Sequence, residues 1–200
     1  RFDEVCKAGF DNDVTMMIDA EESWMQDAAD DLADEMMKKY NTNRCIVCNT
    51  LQMYRHDRLD YLKKIFQKAE AENYIIGFKV VRGAYMEKER ARAEAENYPS
   101  PIQPNKAATD RDYNAALEFI TQNHHRISLF AGTHNEDSCQ LLTELMQKHQ
   151  IENGNHKIWF GQLFGMSDNI SFKLGSMGYN IAKYLPYGPI KEVMPYLIRR

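Results

Sequence analysis

The chain has 200 residues, with 25 basic and 29 acidic side chains and a formal net charge of −4. This length suits one domain, or most of a larger one, and is sufficient to bury a continuous core. The mixed, slightly acidic charge argues against a nucleic-acid partner held through phosphate contacts, and no apolar run approaches the ~20 residues that cross a bilayer.

Short apolar runs alternate with longer amphipathic segments along the chain, starting from the helix-like "RFDEVCKAGF". The predicted strands are residues 14–20, 45–53, 75–81, 127–132, 158–164 and 181–186. The predicted helices are residues 22–40, 56–72, 108–123, 136–150, 168–178 and 190–200. Because the strands are apolar on both faces and separated by helices, the pattern indicates an α/β fold with a parallel sheet. The Pro-rich segment 93–107 is interpreted as one long strand-to-helix connection.

The ends of the predicted strands distinguish between two parallel-sheet architectures. A doubly wound nucleotide fold should carry G-x-G-x-x-G or G-x-x-x-x-G-K-[ST], and neither occurs. Most predicted strands instead end on polar side chains, as the strands of a (β/α)₈ barrel do where they build a site. The strand count is six where a barrel needs eight, so we predict a truncated TIM-like barrel. Residues 1–200 are expected to form its C-terminal three quarters, with no second domain.

Four scattered cysteines suggest a reducing compartment. Cys45 and Cys48 form a C-x-x-C, a spacing that occurs in zinc sites and in redox pairs. Both lie in the predicted strand 45–53. Residues three apart in a strand point to opposite faces, so the two sulfurs are expected to diverge. Because no further Cys/His pair completes a zinc site, we interpret the two cysteines as structural.

Several polar side chains lie within or directly after the central strands. Lys79 is flanked by Phe78 and Val80, so its ammonium needs a partner, and Asp19 ends "MMID". A buried salt bridge and a functional site explain this pattern equally well. Arg82 can hold a phosphate bidentately, and the small residues that follow it allow a ligand to approach the backbone.

Two further segments have a functional and a purely structural interpretation. Thr133, His134 and Asn135 lie between a strand and a helix, where backbone N–H groups favour an anion. Alternatively, Asn135 caps the helix and His134 is a passive loop residue. Arg199 and Arg200 end an apolar helical segment, and they either bind an anion together or are solvated.

Six segments in matching order resemble the proline dehydrogenase domain over essentially the whole chain. They are "MIDAEES", "TLQMY", "FKVVRGAYMEKER", "GTHN", "LFGM" and "YLPYGPIKEVMPYLIRR". The resemblance implies a distorted (β/α)₈ barrel that holds FAD and oxidises L-proline to Δ¹-pyrroline-5-carboxylate. It also implies a quinone or another electron acceptor.

The resemblance further implies roles for individual residues. Asp19 and Lys79 would be catalytic, with Lys79 beside flavin N5. The FAD contacts would be Ala20, Gln52, Lys79, Arg82, Gly83, Ala84, Lys106, Thr133 and His134. The substrate contacts would be Leu163, Tyr184, Tyr196, Arg199 and Arg200. The arginine pair would clamp the proline carboxylate.

Strands of the barrel are expected to lie outside the chain, which leaves sheet edges and apolar surface exposed. We therefore expect this stretch to associate with itself. We also expect it to bind FAD weakly or not at all. Two alternatives remain open: a barrel enzyme that uses Lys79 as a Schiff-base lysine, and a non-catalytic module. The expected location is cytoplasmic, with peripheral contact at an inner membrane left open, on the mitochondrial matrix side in a eukaryote.

Overall fold

The computed structural model of the chain describes residues 1–198, and for residues 196 and 197 it describes the backbone only. The chain divides into two compact units, Arg1–Phe130 and Ala131–Arg200. The elements of the first unit are α1 (Phe2–Asp11), β1 (Met16–Met17), α2 (Ser23–Tyr40), β2 (Val47–Gln52), α3 (Arg58–Glu72), β3 (Ile76–Val81), α4 (Met86–Ala95) and α5 (Lys106–Gln122). Strand β4 (Ile127–Gly132) begins in the first unit and ends in the second. The elements that follow are α6 (Glu136–Lys148), β5 (Ile158–Leu163), α7 (Asp168–Ser176), β6 (Ile181–Tyr184) and α8 (Ile190–Ile198).

The strands of the first unit are hydrogen-bonded in chain order, β1-β2-β3-β4. Strand β2 pairs in parallel with both β1 and β3, and every residue of β2 is buried. Thr50 is the register partner of Lys79, and Gln52 is the register partner of Val81. Because side chains alternate between the two faces of a strand, Thr50, Gln52 and Lys79 share one face of this sheet.

The helices of the first unit cover the sheet with apolar stripes that recur at the helical period. The buried apolar residues are Ala33, Met36, Met37 and Tyr40 of α2, Leu62, Ile65, Phe66 and Ala69 of α3, and Tyr113, Ala116, Leu117 and Ile120 of α5. Spacings of three and four residues place each set on one side of its helix. Burial of these stripes is the main stabilising contribution to the unit.

A buried polar network joins α2, β2 and α3 at the same interface. Asp30 accepts hydrogen bonds from Arg58 at 2.5 Å and from Gln26 and Asn49 at 2.8 Å each. Arg58 also donates to Asp57. Burial alone would raise the pKa of Asp57, but the hydrogen bonds and charges of two arginines outweigh it and lower the pKa to about 2. The network satisfies charges that would otherwise be costly to bury.

In the second unit the hydrogen-bonded order is β4-β5-β6. Strands β5 and β6 pair in parallel, with Leu163 opposite Tyr184 at the end of the ladder. Helix α6 buries Cys139, Leu142, Leu145 and Met146, which again follow the helical period. The rings of Phe160 and Tyr179 pack edge to face with centroids 5.4 Å apart.

The predicted strands and helices are confirmed, with most ends shifted by one or two residues, and the predicted helix 190–200 is described only as far as residue 198. Larger changes occur at two places in the first unit. Strand β1 covers only Met16–Met17 of the predicted 14–20, because its pairing with β2 is limited to these two register positions. Helix α4 was missed and shortens the predicted connection 93–107. Its sequence, "MEKERARAEA", consists of strong helix formers. The helix has no apolar stripe, because only Glu89 and Ala93 are buried.

The predicted divergence of the Cys45 and Cys48 sulfurs is wrong. Strand β2 begins at Val47, so Cys45 lies before the strand and is not subject to its alternation. The two Sγ atoms lie 3.2 Å apart.

Within residues 1–198, no helix has both the length and the apolar character needed to cross a bilayer.

Candidate active site

The centre of the candidate site is an ion pair between Lys79 of β3 and Asp19, which follows β1. The Lys79 ammonium donates to the Asp19 carboxylate, and their side chains are 18% and 54% exposed, respectively. Lys79 therefore spans the face of β2 that carries its register partner Thr50. The Thr50 hydroxyl donates to the carbonyl of Ile18 at 2.7 Å, which fixes the backbone just before Asp19.

Gln52 joins the two loops that follow β1 and β3. It is buried at the end of β2, and its Nε2 donates to the carbonyl of Glu21 at 2.7 Å. Its Oε1 lies 3.4 Å from the backbone N–H of Ala84. Tyr85 donates to the Glu21 carboxylate at 2.5 Å, and this hydrogen bond together with burial raises the pKa of Tyr85 to about 12. The loops that carry Asp19, Ala20 and Ala84 are thus held together through β2.

The turn after β3 strongly favours glycine at position 83. Gly83 has a φ of +131°, and an added Cβ would lie 2.5 Å from the ring of Tyr54. A side chain there would be strained by the backbone and would overlap the ring. Because Gly83 and Ala84 are exposed, their backbone presents a surface that a flat ligand can approach closely.

Two cations near this turn share one carboxylate. Arg82 donates through Nε to Asp110 at 2.6 Å, and Lys106 donates to the other oxygen at 2.5 Å. The guanidinium of Arg82 also lies 4.3 Å from the ring centroid of Tyr113. Burial raises the pKa of Asp110, but the hydrogen bonds from the two cations outweigh it, so the pKa is lowered overall. Asp110 was not predicted, although its i,i+4 spacing from Lys106 was a usable signal.

In the second unit, the β4–α6 connection is built by Thr133, His134 and Asn135. Asn135 caps α6 by accepting a hydrogen bond from the N–H of Ser138 at 2.8 Å. His134 Nδ1 lies 2.8 Å from the hydroxyl of Ser167, a contact that the sequence did not indicate. Both the capping role and a ligand-binding role of this connection are compatible with these contacts. The first turn of α6 carries two acidic residues, which oppose an anion there.

The remaining predicted substrate residues lie late in the second unit. Leu163 and Tyr184 are paired at the ends of β5 and β6, and Tyr184 is 48% exposed. Tyr196 lies in α8, and its side chain is outside the described part of the structure. Arg199 and Arg200 lie outside the described residues altogether.

The family model described as proline dehydrogenase matches residues 1–200. The chain belongs to the proline dehydrogenase family. It is 41% identical over 202 residues to "Proline dehydrogenase 1, mitochondrial" of Caenorhabditis elegans, covering 98% of this chain and 33% of that protein. Its identity to "Proline dehydrogenase 1, mitochondrial" of Homo sapiens is 37% over 203 residues, covering 100% of this chain and 34% of that protein. The chain therefore spans about a third of the length of these relatives.

The fold of this chain resembles that of proline utilization A from Bdellovibrio bacteriovorus inactivated by N-propargylglycine. The TM-score is 0.91 at 23% identity, and the match covers 99% of this chain and 20% of that one. The likeness confirms the predicted α/β fold of the (β/α)₈ barrel type.

The structure brings part of the predicted proline dehydrogenase site together in the first unit. Lys79 pairs with Asp19, and Gln52 accepts from the backbone N–H of Ala84. Thr50 and Gln52 of β2 donate to backbone carbonyls on either side of Asp19, at Ile18 and Glu21. Their roles toward FAD or proline, and those of the other predicted site residues, stay predictions.

Proposed function

We propose that the protein containing this chain oxidises L-proline to Δ¹-pyrroline-5-carboxylate, with FAD as the first electron acceptor and a quinone or another acceptor after it. The observation that carries the proposal is the Asp19–Lys79 ion pair beside Gln52 at the strand ends of a proline dehydrogenase chain. The names of the relatives from C. elegans and H. sapiens support the substrate.

The residues of the first unit suit the chemistry of FAD. Lys79 is paired with Asp19, and Arg82 and Lys106 share Asp110, so these five side chains keep one net positive charge for an anionic cofactor. The Gly83–Ala84 backbone is exposed beside them. Gln52 has an amide that can hydrogen-bond the polar edge of an isoalloxazine. We therefore assign these residues to the cofactor, together with Ala20 in the first unit and with Thr133 and His134 in the second.

The protein residues would position the reactants and stabilise charge. FAD, when bound, supplies a group that accepts a hydride. The Lys79 ammonium, oriented by Asp19, would stabilise the negative charge that develops on hydride acceptance. The proline amine must lose its proton before or during this step, because an ammonium cannot donate electrons toward the carbon that is oxidised.

We propose that residues of the second unit bind the substrate. Arg199 and Arg200 would bind the proline carboxylate by charge-assisted hydrogen bonds. Leu163, Tyr184 and Tyr196 would surround the ring.

The test is proline-dependent bleaching of flavin absorbance by the full-length protein. We expect Lys79→Met to slow bleaching by about 100-fold or more, because a preorganised charge is lost. We expect Arg199→Ala to raise KM for proline by about tenfold or more. The control is Lys63→Met, an exposed lysine of α3, which should leave both unchanged. The proposal would be contradicted if the full-length protein showed no flavin absorbance, or if adding proline did not bleach that absorbance.

Borohydride trapping, run beside the bleaching assay, addresses the two alternatives. A Schiff-base lysine enzyme would be trapped on Lys79 by borohydride in the presence of a carbonyl substrate, without any flavin. A non-catalytic module would show neither reaction. Membership of the proline dehydrogenase family does not favour either alternative.

We also propose a mitochondrial location, on the matrix side. The relatives from C. elegans and H. sapiens are both named mitochondrial. Fractionation with protease protection tests the location, and carbonate extraction of the membrane fraction tests peripheral membrane contact. Recovery in the cytosolic fraction would contradict the mitochondrial proposal.

A further inference from the structure

The close pair of cysteines lies away from the candidate active site. Cys45 precedes β2 and is partly exposed, whereas Cys48 is buried as the second residue of that strand. Gln52, which belongs to the candidate active site, lies at the opposite end of the same strand. The Sγ atoms of Cys45 and Cys48 lie 3.2 Å apart. Neither thiol has a role in the proposed proline oxidation.

Gly77 of the neighbouring strand β3 makes room for both sulfurs. A Cβ added at this position would overlap the Sγ atoms of Cys45 and Cys48 alike. Glycine weakens the interior of a strand, and where it occurs there it often marks a close approach by another group. Here the group that approaches is the sulfur pair, which fills the volume that a side chain at position 77 would occupy.

Asn41 holds the segment that carries the pair. It is fully buried, and its Oδ1 accepts hydrogen bonds from the N–H groups of Ile46 and Val47 at 2.9 and 2.8 Å. Its Nδ2 donates to the carbonyl of Val47 at 2.8 Å and lies 3.8 Å from the Sγ of Cys45. The backbone between the two cysteines is therefore ordered by a buried side chain, which keeps the sulfurs adjacent.

We propose that Cys45 and Cys48 form a reversible dithiol–disulfide site that reacts with small disulfides such as glutathione disulfide. The partly exposed Cys45 thiolate attacks one sulfur of the disulfide, whose S–S bond breaks and releases one glutathione. The Cys48 thiolate then attacks the Cys45 sulfur, forms the Cys45–Cys48 bond and releases the second glutathione. Two protein thiols are oxidised, one glutathione disulfide is reduced, and the two cysteine protons pass to the two glutathiones.

The order of the two attacks follows from the environments of the thiols. Cys48 is buried, and its hydrogen bond with Cys45 together with this burial raises its pKa well above the usual range. A buried, protonated thiol is a poor first nucleophile, but it is well placed to resolve a mixed disulfide on the adjacent sulfur. Zinc binding by this pair would need further ligands, and no group of three His, Cys, Asp or Glu residues is arranged for a metal within the described residues.

The test uses the full-length protein in glutathione buffers of increasing oxidised fraction, quenched with acid and alkylated. Peptide mass spectrometry should show the peptide with both cysteines losing two hydrogens, with no glutathione retained. In Cys48→Ser, one glutathione should remain on Cys45, because the resolving thiol is absent. The control is Cys6→Ser, which replaces a buried thiol of α1 and should behave as the wild type.

Three results would overturn the proposal: independent alkylation of the two cysteines at every buffer ratio, glutathione retained by the wild type, or zinc bound by the pair. Gly77→Ala should lower the fraction of internal disulfide at a fixed ratio by about tenfold, because the added methyl displaces the sulfurs. Since Gly77→Ala can also impair folding, the cysteine variants decide the outcome.

Discussion

Glu89 of α4 is expected to stabilise the start of α2, and its replacement by alanine should cost about 3–4 kcal/mol. Glu89 is 0% exposed, and its carboxylate accepts hydrogen bonds from the N–H and the hydroxyl of Ser23 at 2.5 and 2.6 Å. Glu22, the N-cap residue of α2, makes no side-chain cap of its own. A buried hydrogen bond to a charged group contributes about 1.5–3 kcal/mol, so two contribute about 3–6. We expect a cost in the lower half of this range, because Ser23 is partly exposed and its hydroxyl can hydrogen-bond to water instead.

The assay is urea unfolding of the full-length protein with a double-mutant cycle. Glu89→Gln should cost about 1 kcal/mol, since the amide can accept from the N–H and donate to the hydroxyl but lacks the charge. Ser23→Ala should cost about 1–2 kcal/mol and should couple to Glu89→Ala by a similar amount. The matched control is Glu87→Ala in the first turn of α4, an exposed position that should stay within about 0.5 kcal/mol of the wild type.

The same contact is expected to affect the candidate site. Ser23 directly follows the loop that carries Asp19 and Ala20, so fraying of α2 should loosen that loop and weaken flavin binding. A cost below about 1 kcal/mol for Glu89→Ala, or no coupling to Ser23→Ala, would refute the capping role.

Arg58→Met should cost about 3 kcal/mol in thermal unfolding, because Asp30 is left as a buried charge without its cation; a cost below about 1 kcal/mol would contradict this. Gly83→Ala should cost about 2–3 kcal/mol and weaken flavin binding, because the positive φ and the ring of Tyr54 both oppose a side chain. An unchanged midpoint of thermal unfolding would contradict this prediction. Asp57, whose pKa is lowered from 3.8 to about 2, should stabilise the protein above pH ~4 and lose this contribution as the pH falls toward 2. The shift corresponds to about 2 kcal/mol, reduced to about 1 by solvent screening because the carboxylate is 37% exposed. Urea unfolding of wild type and Asp57→Asn between pH 2 and 6 should show a difference that disappears at the acidic end, and a constant difference would refute it.

The sequence by itself determined the alternation of elements and the strand ends that carry polar groups. Apolar periodicity is a local property, so segments such as β2 and α5 were predictable from neighbouring residues alone. Lys79 was identifiable because a charged side chain within an apolar strand needs a partner, whereas the role predicted for Gln52 came from the family resemblance. The same local logic missed α4, whose stability rests on helix propensity and on Glu89 rather than on an apolar stripe.

Only the tertiary structure decided which distant groups meet. Glu89 is 66 residues from Ser23, and Asp110 is 28 residues from Arg82, so neither pairing follows from local spacing. The Cys45 and Cys48 sulfurs are only three residues apart, yet their contact depends on where β2 begins and on the space above Gly77 of another strand. Periodicity assigns a residue to a face of its own element. Which side chains of different elements come into contact depends on packing between the elements. In a close-packed interior, two groups can approach each other only where a neighbouring residue is small.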